Sequence, residues 1–271
     1  MCYSVLMTVF DGDNAGFFEM SIKSILTQTL QPAELVIVKD GPVNSGLNNV
    51  INRCKDGTEI NIIEIQLDKN HGLGYALNVG IHNCSCELIA RMDADDISLP
   101  TRCEKQVAEF QKDKKLDIVG SPVLEFANTT DNIVGLKKVP LSNEEIYKFA
   151  KLRDPFNHPT VMFKKSTVLS AGNYSDLRKN QDTDLWIKMI MFGSVCKNIE
   201  EPLLYFRFDE GTYKKRKSLI NTKTLLSIRY KAYRLGFCSI FDFATVAISQ
   251  LTIYFLPIGF QKFIYKNILR R

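Results

Sequence analysis

Through the first third of the chain, short apolar runs rich in β-branched residues alternate with longer stretches of helical period. Residues 4–10, 35–39, 60–67 and 88–92 read as strands, and residues 18–28, 46–54 and 74–83 between them have the length and patterning of helices. Regular strand–helix alternation predicts an α/β fold with a mostly parallel sheet flanked by helices. In such sheets ligands gather at the carboxyl ends of the strands. Asp11, Asp40 and Asp93 fall at or just after strand ends, so three carboxylates are expected around one crevice.

After residues 117–120 the pattern changes to mixed strands and short helices that end at 203–208, which predicts an α+β part completing the pocket. The expected organisation is therefore one catalytic-sized domain over 1–208, with halves 1–120 and 121–208, followed by an extension over 209–271. At 271 residues and 45% apolar composition the chain is long enough to bury a full core.

Charge singles out the extension. From Glu210 to Arg271 there are twelve Lys/Arg against two Asp/Glu, a balance of +10, whereas the rest carries 23 basic and 28 acidic residues, a balance of −5. A basic tail on a mildly acidic body points to an anionic partner. Lys214-Lys215-Arg216-Lys217 opens the tail, Arg229, Lys231 and Arg234 continue it in helical pattern, and residues 243–261 carry no charge. That apolar stretch just reaches the length of a bilayer span. Ser249, Gln250, Thr252 and a break at Pro257-Ile258-Gly259 interrupt it, and Lys262, Lys266, Arg270 and Arg271 follow. The pattern suits an amphipathic helix lying among anionic lipid headgroups; a helical cap, a dimer surface and a true span are the alternatives.

The seven cysteines are odd in number and scattered without a Cys-x-x-Cys pair, as expected for reduced structural thiols in the cytoplasm. Residues 1–10 lack the basic and long apolar regions of a secretory signal, so no export is expected.

The densest candidate chemistry is Arg91-Met92-Asp93-Ala94-Asp95-Asp96, which follows a strand and precedes Pro100, a residue common in the first turn of a helix. Three carboxylates in one tight turn repel one another, and a divalent cation relieves that repulsion. An all-oxygen ligand set favours Mg²⁺ or Mn²⁺ over zinc. An acidic turn that merely caps the next helix is the plainer alternative.

Around this turn the chain resembles the family 2 glycosyltransferases of the GT-A fold, especially bacterial enzymes that assemble O-antigen, capsular and exopolysaccharide repeat units. Ser4-Val5-Leu6-Met7-Thr8-Val9-Phe10 resembles the first strand that cradles uracil, and Ser24-Ile25-Leu26-Thr27-Gln28-Thr29 resembles the first helix. Val36-Ile37-Val38-Lys39-Asp40-Gly41 is similar to the second strand, whose terminal aspartate binds the nucleotide. The run from Asn70 to Gly80, with Gly72, Gly74 and Asn78, resembles the glycine-rich donor segment. Asp93 and Asp95 match the Asp-x-Asp motif, which implies a ribose or metal contact for Asp93 and metal ligation at the diphosphate for Asp95. Thr8, Val9, Phe10, Asp40, Asn70, Gly72, Gly74, Asn78, Arg91, Asp93 and Asp95 are thus the implied donor-binding set.

Further on, Asn180-Gln181-Asp182-Thr183-Asp184-Leu185-Trp186 resembles the Glu-Asp-x-x-Leu-Trp segment whose aspartate is the catalytic base. Gln181 stands where the family has glutamate, so Asp182 is the matching base and Asp184 the second choice. Pro155 to Phe163 resembles a segment of the polysaccharide enzymes, which places His158, with Trp186, on the acceptor side.

The resemblance implies single displacement with inversion: a metal-bound nucleoside diphosphate leaves while a carboxylate deprotonates the acceptor hydroxyl from the opposite face. It also implies a hexose or N-acetylhexosamine moved from a UDP-sugar to a polyprenyl-diphosphate-linked saccharide. With the basic tail, that places the enzyme in the cytoplasm, peripheral on the inner face of the plasma membrane.

Other classes fit less well. The glycines at 72 and 74 lack the third glycine of a dinucleotide fingerprint because position 77 is leucine. A nucleotidyltransferase of similar fold needs a glycine-rich basic loop after the first strand, and Phe10-Asp11-Gly12-Asp13-Asn14 is acidic. No nucleic-acid fold signature accompanies the basic tail.

Overall fold

Seven strands form the central sheet of the computed structural model, which describes residues 1–208 and 218–256. The expected alternation opens the chain: β1 (Tyr3–Val9), α1 (Ala15–Leu26), β2 (Glu34–Lys39), α2 (Ser45–Asp56), β3 (Asn61–Gln66), α3 (Leu73–Asn83) and β4 (Leu88–Met92). These four strands pair in parallel in the order β4-β1-β2-β3, so β1 and β2 lie inside the sheet and every residue of β4 is buried. Burial on both faces explains why β1, β2 and β4 run apolar without alternation, whereas β3, at the sheet edge, is partly exposed.

Helix boundaries follow local chemistry. Asn14 and Asn44 cap α1 and α2 by accepting from the amides of Phe17 and Leu47 at 3.0 and 3.1 Å. The Asn14 cap starts α1 three residues before the apolar pattern indicates. Gly80 lets α3 settle onto the sheet, for a β-carbon there would lie 2.2 Å from Leu6 Cδ1. Pro100 lies just outside its helix: α4 (Arg102–Lys112) begins two residues later, after Thr101 at the cap position.

The later part of the chain re-enters the same sheet. β6 (Leu116–Gly120), the three-residue β9 (Met162–Lys164) and β10 (Val195–Asn198) extend it to the order β10-β6-β9-β4-β1-β2-β3. β9 runs antiparallel to both β4 and β6 and fills the gap between them. A second, four-stranded sheet pairs β5 (Ile97–Ser98), β11 (Leu204–Arg207), β7 (Val123–Phe126) and β8 (Ile133–Lys137) in that order. It stands beside the acidic turn because β5 begins one residue after Asp96. α5 (Asn143–Ala150), with a full Ser142/Glu145 capping box, α6 (Lys165–Ser170) and α7 (Gln181–Met191) cover the other face.

Two helices close the described chain, α8 (Leu219–Arg234) and α9 (Ile240–Phe255). α8 packs Ile228 and Ala232 against Ile187 of α7. No helix among the described residues is long and apolar enough to cross a membrane; α9, with sixteen residues, reaches about 24 Å where a bilayer core needs about 30 Å. The basic run 214–217, the break at 257–259, Phe260, Lys262, Lys266, Arg270 and Arg271 lie outside the described residues.

Candidate active site

The acidic turn leaves the carboxyl end of β4 and gathers its side chains. Carboxylate oxygens of Asp93, Asp95 and Asp96 all lie within 4.8 Å of one another. The turn is fastened from beneath: Ser21 Oγ donates to the Asp93 carbonyl at 2.7 Å, and fully buried Arg102 donates to the Arg91 carbonyl at 2.7 Å. Arg91, also buried, donates through Nη2 to Asp93 Oδ1 and keeps Nε and Nη1 unpartnered. Asp96 is buried with one oxygen accepting from the Arg207 amide at 2.8 Å and the other orphaned. Burial first, then the neighbouring charges of Asp93 and Asp95, hold its carboxyl well above the usual range. Three oxygen donors with an orphaned buried oxygen and mutual repulsion fit a hard divalent cation, Mg²⁺ or Mn²⁺.

Arg207, which the sequence pattern assigns only to a strand, is part of this cluster. Its Nε donates to the Asp95 carbonyl at 2.9 Å, and its guanidinium lies over the rings of Phe17 and Phe126, 3.7 and 4.6 Å from their centroids. The residue reaches the turn because β11 pairs with β5, immediately after the turn; only tertiary pairing reveals it.

The glycine-rich segment is anchored by Asp40. Its two oxygens accept from the amides of His71 at 2.7 Å and Gly72 at 2.9 Å, so the carboxylate shapes the loop leading into α3. Gly72 takes φ +98°, a conformation open to glycine. Asn78 is likewise engaged, exchanging two hydrogen bonds with the backbone of Tyr174 at 2.8 and 3.0 Å. Gly74 packs against the segment before α7, where a β-carbon would lie 2.5 Å from the Ser175 carbonyl oxygen. Gly74→Ala is therefore expected to cost about 1–3 kcal/mol of stability by overpacking, read as a lowered thermal midpoint. Thr8 is half-buried and Val9 buried at the end of β1, while Phe10, Asn70 and Asp11 are exposed.

At the start of α7 the two candidate bases differ. Asp184 is buried, paired with Lys188 Nζ at 2.7 Å and hydrogen-bonded by Ser175 Oγ. Asp182, half-buried, has no ion pair among the described residues. Loss of water, then the charge of Asp154, pushes its carboxyl up to about 6.

The Tyr174 hydroxyl is buried, and the charges of Arg91, Asp182 and Asp93 all act on it. His158 is buried, shares a 2.8 Å hydrogen bond with Tyr174 Oη and packs edge-on against Trp186. Burial, then the positive field of Arg91, drives its imidazole well below the ordinary range, so it is neutral. Trp186 is 1% exposed, packed on Phe156 and His158. Both residues thus lie within the core.

The model of the family described as Glycosyl transferase family 2 matches residues 4–170. A UDP-Gal:alpha-D-GlcNAc-diphosphoundecaprenol beta-1,3-galactosyltransferase of Escherichia coli is 35% identical over 99% of this chain and 97% of its own length. The amylovoran biosynthesis glycosyltransferase AmsE of Erwinia amylovora is 32% identical over 98% of each chain. Among solved structures, the mannosyltransferase PcManGT of Pyrobaculum calidifontis in complex with GDP-Man and Mn²⁺ superposes with a TM-score of 0.66 at 14% identity, covering 93% of this chain and 70% of that one. This likeness shows a shared GT-A fold. With the family model matched over more than half its residues and relatives aligned nearly end to end, the chain belongs to glycosyltransferase family 2.

Proposed function

We propose that the enzyme moves a hexose or N-acetylhexosamine from a UDP-sugar to a hydroxyl of a polyprenyl-diphosphate-linked saccharide, with inversion, during assembly of a bacterial surface polysaccharide. The carrying observation is the cluster of Asp93, Asp95 and Asp96 carboxylates at the carboxyl end of β4 in a chain of this family. The names of the Escherichia coli and Erwinia relatives support the polysaccharide setting, and the former supports galactose as the first sugar to try.

In this reading Asp95, with Asp93 and Asp96, holds Mn²⁺ or Mg²⁺. When bound, that ion neutralises charge developing on the departing nucleoside diphosphate. Arg207 adds a positive charge beside the same turn, held in place by Phe17 and Phe126. Asp40 holds the amides of residues 71 and 72 in the donor loop, while Thr8, Val9, Phe10 and Asn70 lie at the strand-end rim where a nucleoside would rest. Asp182 takes the acceptor proton: with its carboxyl near 6 it is ionised at neutral pH yet basic enough to accept a proton. Asp184 is already committed to Lys188 and Ser175. His158 and Trp186 support the acceptor side through Tyr174 and Phe156.

One base and one leaving group leave a single displacement, so an α-linked donor yields a β-glycoside. A lipid-linked acceptor and a nucleotide-sugar donor place the reaction on the cytoplasmic face of the plasma membrane. The test is release of nucleoside diphosphate from a panel of nucleotide sugars with Mn²⁺, with and without a synthetic GlcNAc-diphosphate-lipid. Release from a UDP-sugar that requires the acceptor supports the reading; turnover of GDP- or dTDP-sugars alone, or an α-linked product, overturns it.

A further inference from the structure

α8 and α9 expose apolar side chains in a pattern that core packing leaves unexplained. On α9, Phe241 is 81%, Phe255 76% and Ile248 66% exposed, with Ile240 and Leu251 beside them nearly half exposed. At 100° per residue these five fall on one arc about 100° wide. The opposite arc of α9 carries Val246, Gln250 and Phe243, which meet α8: Gln250 donates to Thr222 at 3.2 Å, and the Phe243 ring stacks on Tyr233. α8 in turn buries Ile228, Arg229 and Ala232 toward α7. α8 also exposes Lys223, Lys231 and Arg234, none with an acidic partner among the described residues, with Lys223 and Lys231 bordering the cavity toward the start of α7.

We propose that the α9 stripe docks on a bilayer containing anionic phospholipid, lying in the acyl–headgroup boundary, with the exposed cations of α8 and the basic excess of the extension adding a longer-range attraction to the phosphates. Charge selects this occupant. Between Ser218 and Arg271 there is a single acid, Asp242, and it is used in the capping box with Ser239. A second copy docked on the stripe would bring two such positively charged segments together, whereas anionic headgroups complement them.

The consequence is mechanical continuity between membrane and base. Asn180, at the cap of α7, donates to the carbonyl and side-chain oxygens of Asn221 at 3.2 Å. Arg229 pairs with Asp154 at 3.7 Å, and Asp154 accepts from Thr183 at 2.7 Å, beside Asp182. A cavity of about 370 Å³ lies between α8 and the start of α7, lined by Lys223, Ser227, Lys231, Ser175 and Asp184. The docked surface is thus the outer layer of the element that carries the base. This purpose rests on the lipid-linked acceptor proposed above; the docking itself is measured without any sugar transfer.

The full-length protein is sedimented with vesicles of phosphatidylethanolamine and phosphatidylglycerol, and separately with pure phosphatidylcholine. Binding to the anionic vesicles, weakened by salt, is expected to exceed binding to the neutral ones by about ten-fold or more. The triple variant F241S/I248S/F255S is expected to lower the anionic-vesicle partition coefficient by about ten-fold or more while keeping the wild-type circular dichroism and melting curve. The pair K223E/K231E, which leaves the stripe intact and lowers the positive charge by four, is expected to reduce the preference for anionic vesicles several-fold. Wild-type vesicle binding by the triple variant overturns the proposal. So does a wild-type dimer, seen in sedimentation velocity, that dissociates in the triple variant with no vesicle binding by either protein.

Discussion

Asp182→Asn is expected to lower kcat by about 10²–10⁴-fold, the usual contribution of a positioned general base, with little change in donor KM. The substitution keeps shape and removes basicity, so binding and chemistry separate cleanly in steady-state kinetics with saturating UDP-sugar. The wild type supplies a second reading of the same group. Its carboxyl, raised to about 6 by burial and by Asp154, must be ionised to accept a proton. Activity is therefore present above pH 6 and falls as pH drops through that value, with a limiting slope of one; the Asn variant is expected to lose that limb. The stability sign runs the other way. A carboxyl whose folded pKa lies above its unfolded value penalises folding when ionised, an effect absent at low pH and present above about pH 6. The neutral variant is expected to melt no lower than the wild type at pH 7.5, as when an active-site group is held at the expense of stability. A large loss of melting temperature would instead mark Asp182 as structural, and a comparable kcat loss in Asp184→Asn with an intact fold would move the base two residues along.

Asp95→Ala is expected to reduce kcat/KM by about 10²–10³-fold, comparable to losing one electrostatic contact to a developing anion. Unlike Asp182→Asn, it should act through the metal. Calorimetry of UDP binding should show Mn²⁺-enhanced affinity in the wild type and affinity indifferent to Mn²⁺ in the variant. Removal of one of three mutually repelling carboxylates should also lessen the repulsion at Asp96, whose carboxyl is held above the usual range by burial and by Asp93 and Asp95. A variant that keeps metal-enhanced UDP binding would mean that Asp93 and Asp96 suffice as ligands and that Asp95 serves elsewhere.

The strand–helix alternation was legible because β1, β2 and β4 are buried on both faces and their apolar runs stand out against the helices between them. What stayed hidden depends on partners distant in sequence. β9 is three residues long and β5 two, too short for any period, and each exists because β4 and β6, or β11, supply its hydrogen bonds. Arg207 was illegible for the same reason. In the candidate site the acidic turn could be read locally, since three acids within four residues define a charge problem whatever surrounds them. The state of the other polar residues could not: Asp40 and Asn78 hold backbone groups, His158 and Trp186 are enclosed, and Asp184 is neutralised by a lysine one helical turn away.

The reversed strand β9 bears on how donor and acceptor preferences can diverge among relatives. It comes from the later half of the sequence, yet it is stitched between β4, which ends in the acidic turn, and β6. Recombination that joins residues 1–120 of one enzyme to the later residues of another would replace the strand lying against β4 together with α7. Exchange of whole halves is therefore expected to disturb the sheet beneath the acidic turn, so that changes in loops at the crevice rim offer a readier route to new specificity than shuffling segments.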